Sequence, residues 1–153
     1  MKTLTFKNTN EFAKMKGASL PNSDWISISQ EMITSFANAT LDKQWIHVNP
    51  ERAKLESPYK CTIAHGFMSV ALLSKFLEDV IAIESIKMGL NYGLNYVRFM
   101  QPVLVNSELQ LQSAVSKIED HEKGVKVTFS CTVVIKGQEK PACVAEFLAL
   151  FIE

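Results

Sequence analysis

The sequence predicts an α+β fold in which an antiparallel β-sheet wraps around one long central helix. Two observations carry this reading. Residues 67–73, near the start of a helical stretch, are apolar nearly all round. A helix of that kind is one that something encloses. The second half of the chain then reads as four strands in succession, separated by short polar turns. That order suits an antiparallel meander packed on the helix. One copy of such a sheet would have open edges, so the reading includes a homodimer that pairs sheets edge to edge.

The elements follow in chain order. Residues 9–16 (TNEFAKMK) suit a short helix ended by Gly17. Leu20 to Asp24 holds Pro and Asn and reads as a loop; Trp25 to Ile28 reads as a short strand. Ser29 is a suitable N-cap for a helix through Ala39, with Met32, Ile33 and Phe36 on one face. Residues 40–49 show neither the helical nor the strand period. Asn49-Pro50 then opens a helix that stops before Pro58, with Asn as the cap and Pro at the first helical position. Residues 57–64 are again irregular. The central helix is predicted over Gly66 to Glu84, with Lys75, Glu78 and Asp79 facing out.

Strands are predicted over Tyr92–Phe99, Glu108–Ile118, Val125–Ile135 and Ala142–Ile152. The third is the clearest. Val125, Val127, Phe129, Cys131, Val133 and Ile135 alternate with a more polar set, the signature of a half-buried strand. His121-Glu-Lys-Gly124 and Lys136–Lys140 read as hairpin turns, with His121 solvated in the first.

Composition narrows the function classes. The 153 residues suit a single domain over 1–153, and 47% of them are hydrophobic, enough for a core without metal or disulfide staples. Sixteen basic and sixteen acidic side chains give a formal net charge of zero. Such a balance carries no footprint for nucleic acid or an anionic membrane. The first twelve residues, MKTLTFKNTNEF, lack the apolar run of a signal peptide. The most apolar stretches, 66–83 and 141–152, are broken by charges and do not read as membrane spans. Cys61, Cys131 and Cys143 form no CxxC pair, which argues against a zinc site or disulfide framework and fits a reducing cytoplasm.

The chemistry-bearing residues lie in two stretches. Asp42-Lys-Gln-Trp-Ile-His47 places a carboxylate and an imidazole five residues apart. On a helix that spacing puts the side chains roughly 140° apart, and on a strand it sends them to opposite faces. They converge only if the segment between them is irregular. Convergence would let them share a water or a substrate proton, and the carboxylate would raise the His47 pKa. The spacing alone equally admits a plain reading, in which Asp42 caps a turn and His47 packs against Trp45. Thr62-Ile-Ala-His65-Gly66 opens the central helix. The first N–H groups of a helix are unpaired, and glycine lets a ligand approach them closely. A carbonyl oxygen gaining charge would be held there by the donor and the helix dipole. The plain alternative is a glycine kept for packing, and for His65 a structural role is the simpler one.

These two motifs, with Asn91–Phe99, Pro102-Val103 and the closing strand, resemble the MaoC-like dehydratase family, and within it the (R)-specific enoyl-CoA hydratases. The likeness covers roughly residues 20–152. Gln44 and Trp45 depart from the commoner Asn and Pro and resemble a NodN-like branch. The resemblance implies a hot-dog fold, usually dimeric, acting on a thioester of CoA or acyl carrier protein. By position it makes Asp42 and His47 the hydratase pair, the Gly66 N–H the oxyanion donor, and Ser74 a support for Asp42. Water attacks the β-carbon of a trans-2-enoyl thioester; Asp42 takes its proton and His47 supplies one to the α-carbon. No metal or redox cofactor enters that scheme. Two other expectations stay open: a hot-dog thioesterase, against which stands a helix with no carboxylate before Glu78, and a non-catalytic acyl-thioester-binding module.

Overall fold

The computed structural model describes residues 3–153. A five-stranded antiparallel sheet, in the order β2-β5-β6-β7-β4, forms the body. Its strands are β2 (Ile26–Ser27), β4 (Met88–Phe99), β5 (Glu108–His121), β6 (Gly124–Ile135) and β7 (Cys143–Ile152). The central helix lies against it in two pieces, α5 (Gly66–Ala71) and α6 (Leu73–Val80). Leu73, Phe76 and Val80 from α6 are fully buried, as are Leu111, Val127 and Phe129 from the sheet. This is the sheet-around-helix arrangement the resemblance implies, the hot-dog fold. Burying a large apolar side chain contributes about 1.5–3 kcal/mol, so these contacts set the helix position.

The predicted alternation in β6 holds. Val127, Phe129, Cys131, Val133 and Ile135 are all buried, and β6 pairs with β5 on one side and β7 on the other. Two caps also stand where the sequence places them. Ser29 accepts the Met32 N–H at the start of α2 (Gln30–Thr40). Asn49 accepts the Arg52 N–H at the start of α4 (Pro50–Glu56). The short helix α1 (Thr9–Phe12) runs into a single 3₁₀ turn before Gly17.

The structure corrects the C-terminal end of the central helix. It stops at Val80 rather than Glu84, because Ile81–Ile83 leaves the helix as strand β3. β3 pairs in parallel with β1 (Leu4–Phe6), which the sequence reading did not separate from its surroundings. The run Val80-Ile81-Ala82-Ile83 is rich in β-branched side chains, and once a partner strand exists that preference decides the conformation. β4 begins at Met88, four residues earlier than predicted. The stretch 40–49 also contains one helical turn, α3 (Trp45–Val48).

Candidate active site

Asp42 and His47 meet because the segment joining them changes conformation midway. α2 ends at Leu41 in the left-handed region, at φ 65°, which turns the chain sharply. Asp42 then sits in a short loop, and α3 raises His47 one turn later. No single regular element would bring the two side chains together. His47 is buried at 8% exposure, whereas the Asp42 side chain is 56% exposed. One carboxylate oxygen of Asp42 and a ring nitrogen from each of His47 and His65 lie within 4.8 Å of one another.

Hydrogen bonds fix the tautomers. The Ile63 carbonyl lies 2.7 Å from His47 Nδ1. A carbonyl only accepts, so Nδ1 carries the hydrogen and Nε2 is left for chemistry. His65 Nε2 donates to the Asp42 backbone carbonyl at 2.9 Å. The two imidazoles stack at 3.8 Å with an interplanar angle of 24°. His47 therefore packs against His65, not against Trp45, whose ring instead lies under the Arg52 guanidinium. A trace of the plain reading survives, since Asp42 Oδ1 accepts the Gln44 N–H at 3.4 Å.

Burial is the largest influence on His47 and holds its pKa below the ordinary 6.5. The Ile63 carbonyl opposes this, His65 reinforces it, and Asp42 contributes the weakest, opposing effect. The sequence expectation of a raised pKa is thus corrected. The carboxylate does act in the expected direction, but desolvation of a buried imidazole outweighs an exposed charge.

Gly66 is the first residue of α5, and His65 is its N-cap. His47, His65 and Gly66 together line a cavity of about 380 Å³ with Phe99, Met100 and the buried Ser69. Asp42, more exposed, is not part of that lining. A Cβ at Gly66 would lie 3.1 Å from the Phe99 ring, so the glycine also permits a close contact.

Ser74 does not join this cluster. Its hydroxyl donates to Asn91 Oδ1 at 2.9 Å, and it lines a different cavity of about 330 Å³ between α6, β3 and β4. Within one chain it has no contact with Asp42. Two of the cysteines are no better placed as nucleophiles. Burial pushes Cys131 to about 12 and Cys143 to about 11, which keeps both as thiols. His121, at the β5–β6 turn as expected, meets Tyr92 across 3.2 Å and accepts the Lys123 N–H.

Sequence reasoning missed Gln30. Its amide donates to the His47 carbonyl at 2.8 Å, and its Oε1 accepts from Thr62. It thereby ties α3 to the strand-like segment that carries Ile63. Nothing in a glutamine at the first turn of a helix signals such a clamp. Ser69 was hidden in an apolar run.

The model for the MaoC like domain matches residues 11–135. The chain is 44% identical over 149 residues to a 3-hydroxyacyl-thioester dehydratase Z from Mycobacterium tuberculosis, covering 97% of this chain and 98% of that one. It is 41% identical over 136 residues to Nodulation protein N of Rhizobium leguminosarum bv. viciae, covering 88% and 84%. In fold it is similar to the unliganded R-hydratase PhaJ1 from Pseudomonas aeruginosa, with TM-score 0.71, 22% identity, and coverage of 88% and 81%.

Proposed function

This chain belongs to the MaoC-like domain family, and from that membership and its site we propose that it hydrates trans-2-enoyl thioesters and dehydrates (R)-3-hydroxyacyl thioesters. The unit is one domain over residues 1–153, and the carrier is CoA or acyl carrier protein. A 44% identity along nearly the whole length of a named 3-hydroxyacyl-thioester dehydratase supports the reaction. The observation that carries it is the meeting of Asp42 and His47 within 4.8 Å, with His47 and Gly66, the first residue of the central helix, lining one cavity. Two hydrogen bonds of about 2.8 Å meeting at one water span roughly 4.5–5 Å, and the two groups, no more than 4.8 Å apart, are close enough for one water to bridge them.

The steps follow from the donors. The water oxygen bonds to the β-carbon as Asp42 takes its proton. The π electrons of the alkene move to the α-carbon and the thioester carbonyl. Protonated His47 gives a proton from Nε2 to the α-carbon. The Gly66 N–H holds the charge that builds on the thioester oxygen. Every bond change is accounted for without a metal. The three clustered groups resemble a ligand set by count, but His65 Nε2, its nitrogen at 3.9 Å from Asp42 Oδ2, is already committed to the Asp42 carbonyl. Incubation with crotonyl-CoA should show loss of the enone absorbance without release of free thiol. Thiol release would indicate a thioesterase, and no change with either readout would leave a binding module.

The scheme needs one proton on the Asp42–His47 pair in both directions. Since the folded pKa of His47 lies below 6.5, that proton is lost as pH rises through a midpoint below 6.5. The value of kcat/KM should therefore fall on the alkaline side of that midpoint. Because Asp42 pulls His47 upward, Asp42→Asn should move the residual limb to lower pH. An alkaline limb above pH 7 would contradict the assignment of His47 as the acid.

A homodimer completes the reading, and β4 supports it. This strand is the long edge of the sheet, and eleven of its twelve residues are exposed. Met88, Leu90, Tyr92, Leu94 and Tyr96 form a row of exposed apolar side chains along it. An unpaired apolar edge of this length calls for a partner strand. Sedimentation should give twice the monomer mass, and Tyr92→Lys with Leu94→Lys should give the monomer. A wild-type monomer at micromolar concentration would overturn this. Among the described residues, no helix is long and apolar enough to cross a membrane. Three free cysteines accord with a reducing cytoplasm.

A further inference from the structure

We propose that His65 is a positioning residue, which holds Asp42 in register with His47 by bonding the Asp42 backbone carbonyl and stacking on the His47 ring. The inference rests on the hydratase reading for its consequence, but its geometry stands apart from it. Asp42 is an exposed residue in a loop, and a carboxylate in that setting ordinarily samples many positions. Its local contacts are weak: the Gln44 N–H reaches it at 3.4 Å. The 2.9 Å bond from His65 Nε2 ties it to a residue 23 positions away in sequence.

His65 is itself immobilised. It is 4% exposed, stacked on His47, and in contact with the Phe36 ring at 5.0 Å. It also immediately precedes Gly66, so one residue connects both acid–base groups to the helix start. The other end of the ring shows what the imidazole is kept for. With hydrogen on Nε2, neutral His65 has a bare Nδ1, and that atom is buried with no hydrogen-bond partner among the described residues. A buried polar atom without a partner is unfavourable. A leucine or phenylalanine would pack in the same space without that penalty, but neither could donate to Asp42.

The test compares wild type, His65→Leu and His65→Gln, each with and without Asp42→Asn. Glutamine places an N–H near the position of Nε2; leucine has none. The first readout is the NMR titration midpoint of His47, which needs no activity. In wild type and His65→Gln, Asp42→Asn should lower that midpoint. In His65→Leu the same change should leave it where it was, because Asp42 is no longer held close. Equal lowering in all three backgrounds would overturn the proposal. The second readout is crotonyl-CoA hydration. His65→Leu should lower kcat by at least ~10-fold with KM within about twofold, and His65→Gln should recover most of it. On an Asp42→Asn background, His65→Leu should add no further loss, as expected for residues acting through one another. An additive loss, or a glutamine no better than leucine, would make His65 merely structural. If His65→Leu does not fold, His65→Asn carries the same contrast, since its amide mimics Nδ1 and falls short of Asp42. An inactive wild type would sink the hydratase reading, while the titration would still decide the role of His65.

Discussion

Asp42→Asn is expected to slow hydration of crotonyl-CoA at least ~100-fold, and loss of the His47 Nε2 to do the same. A positioned acid or base contributes about 10²–10⁴-fold, and each substitution deletes one. Asp42→Asn is a clean change, because the asparagine keeps an Oδ1 for the Gln44 N–H and the backbone carbonyl for His65. His47 needs more care. Alanine would strand the Ile63 carbonyl and remove one ring of the stack, which costs stability as well as chemistry. His47→Asn is the sharper variant, since its amide can still donate to Ile63 in place of Nδ1 while presenting nothing where Nε2 was. Asp42→Asn should melt near the wild-type temperature; His47→Asn keeps the Ile63 bond but loses one ring of the stack, so it should melt between wild type and His47→Ala. The double variant should be little slower than either single one, because the pair works as a unit. An Asp42→Asn enzyme with a near-wild-type rate would end the proposed mechanism.

The parts of the fold that the sequence made legible are those in which local preference and burial agree. The buried set from Val127 to Ile135 and the Ser29 and Asn49 caps reappear in the structure, with Val125 only partly buried at the strand's start. The parts that were not legible depend on distant partners. Ile81–Ile83 continues a helical pattern by side-chain character alone. It becomes a strand only because Leu4–Phe6, more than seventy residues earlier, lies beside it. A single sequence carries no sign of that pairing.

The site divides along the same line. Sequence spacing showed that Asp42 and His47 could meet only outside regular structure, and a left-handed turn followed by a single helical turn meets that requirement. Chemistry within the cluster was less accessible. The direction of the His47 shift depends on how deeply the ring is buried, which its neighbours in sequence do not determine. Ser74 was carried over from a resemblance, and its partner within the chain is Asn91 rather than Asp42. His65 had a plain structural reading, and its role emerged only from two contacts: the Asp42 carbonyl and the His47 ring.

The second large effect is expected at Gly66, where one substitution can remove a hydrogen-bond donor while sparing the helix. Gly66 is the first residue of α5, the position at which proline is best tolerated, because the N–H lost there has no partner within the helix. The preceding residue must then avoid the helical region, and His65 already does so, at φ −62° and ψ 138°. Gly66→Pro should thus fold, yet lack the N–H assigned to the thioester oxygen. Loss of one such donor lowers kcat about 10²–10³-fold. The added carbon atoms confuse the result unless they are controlled for, because any Cβ at 66 comes within 3.1–3.2 Å of the Phe99 ring. Gly66→Ala supplies the control: it makes the same contact and keeps the N–H. Phe99 is 44% exposed and can shift, so the alanine enzyme should lose less than about tenfold. The ratio between the two variants then reports the lost donor together with the proline Cδ that stands where its hydrogen was. If proline and alanine prove equally active, the N–H at 66 carries no charge in the transition state, and the oxyanion assignment fails even if Asp42 and His47 stand.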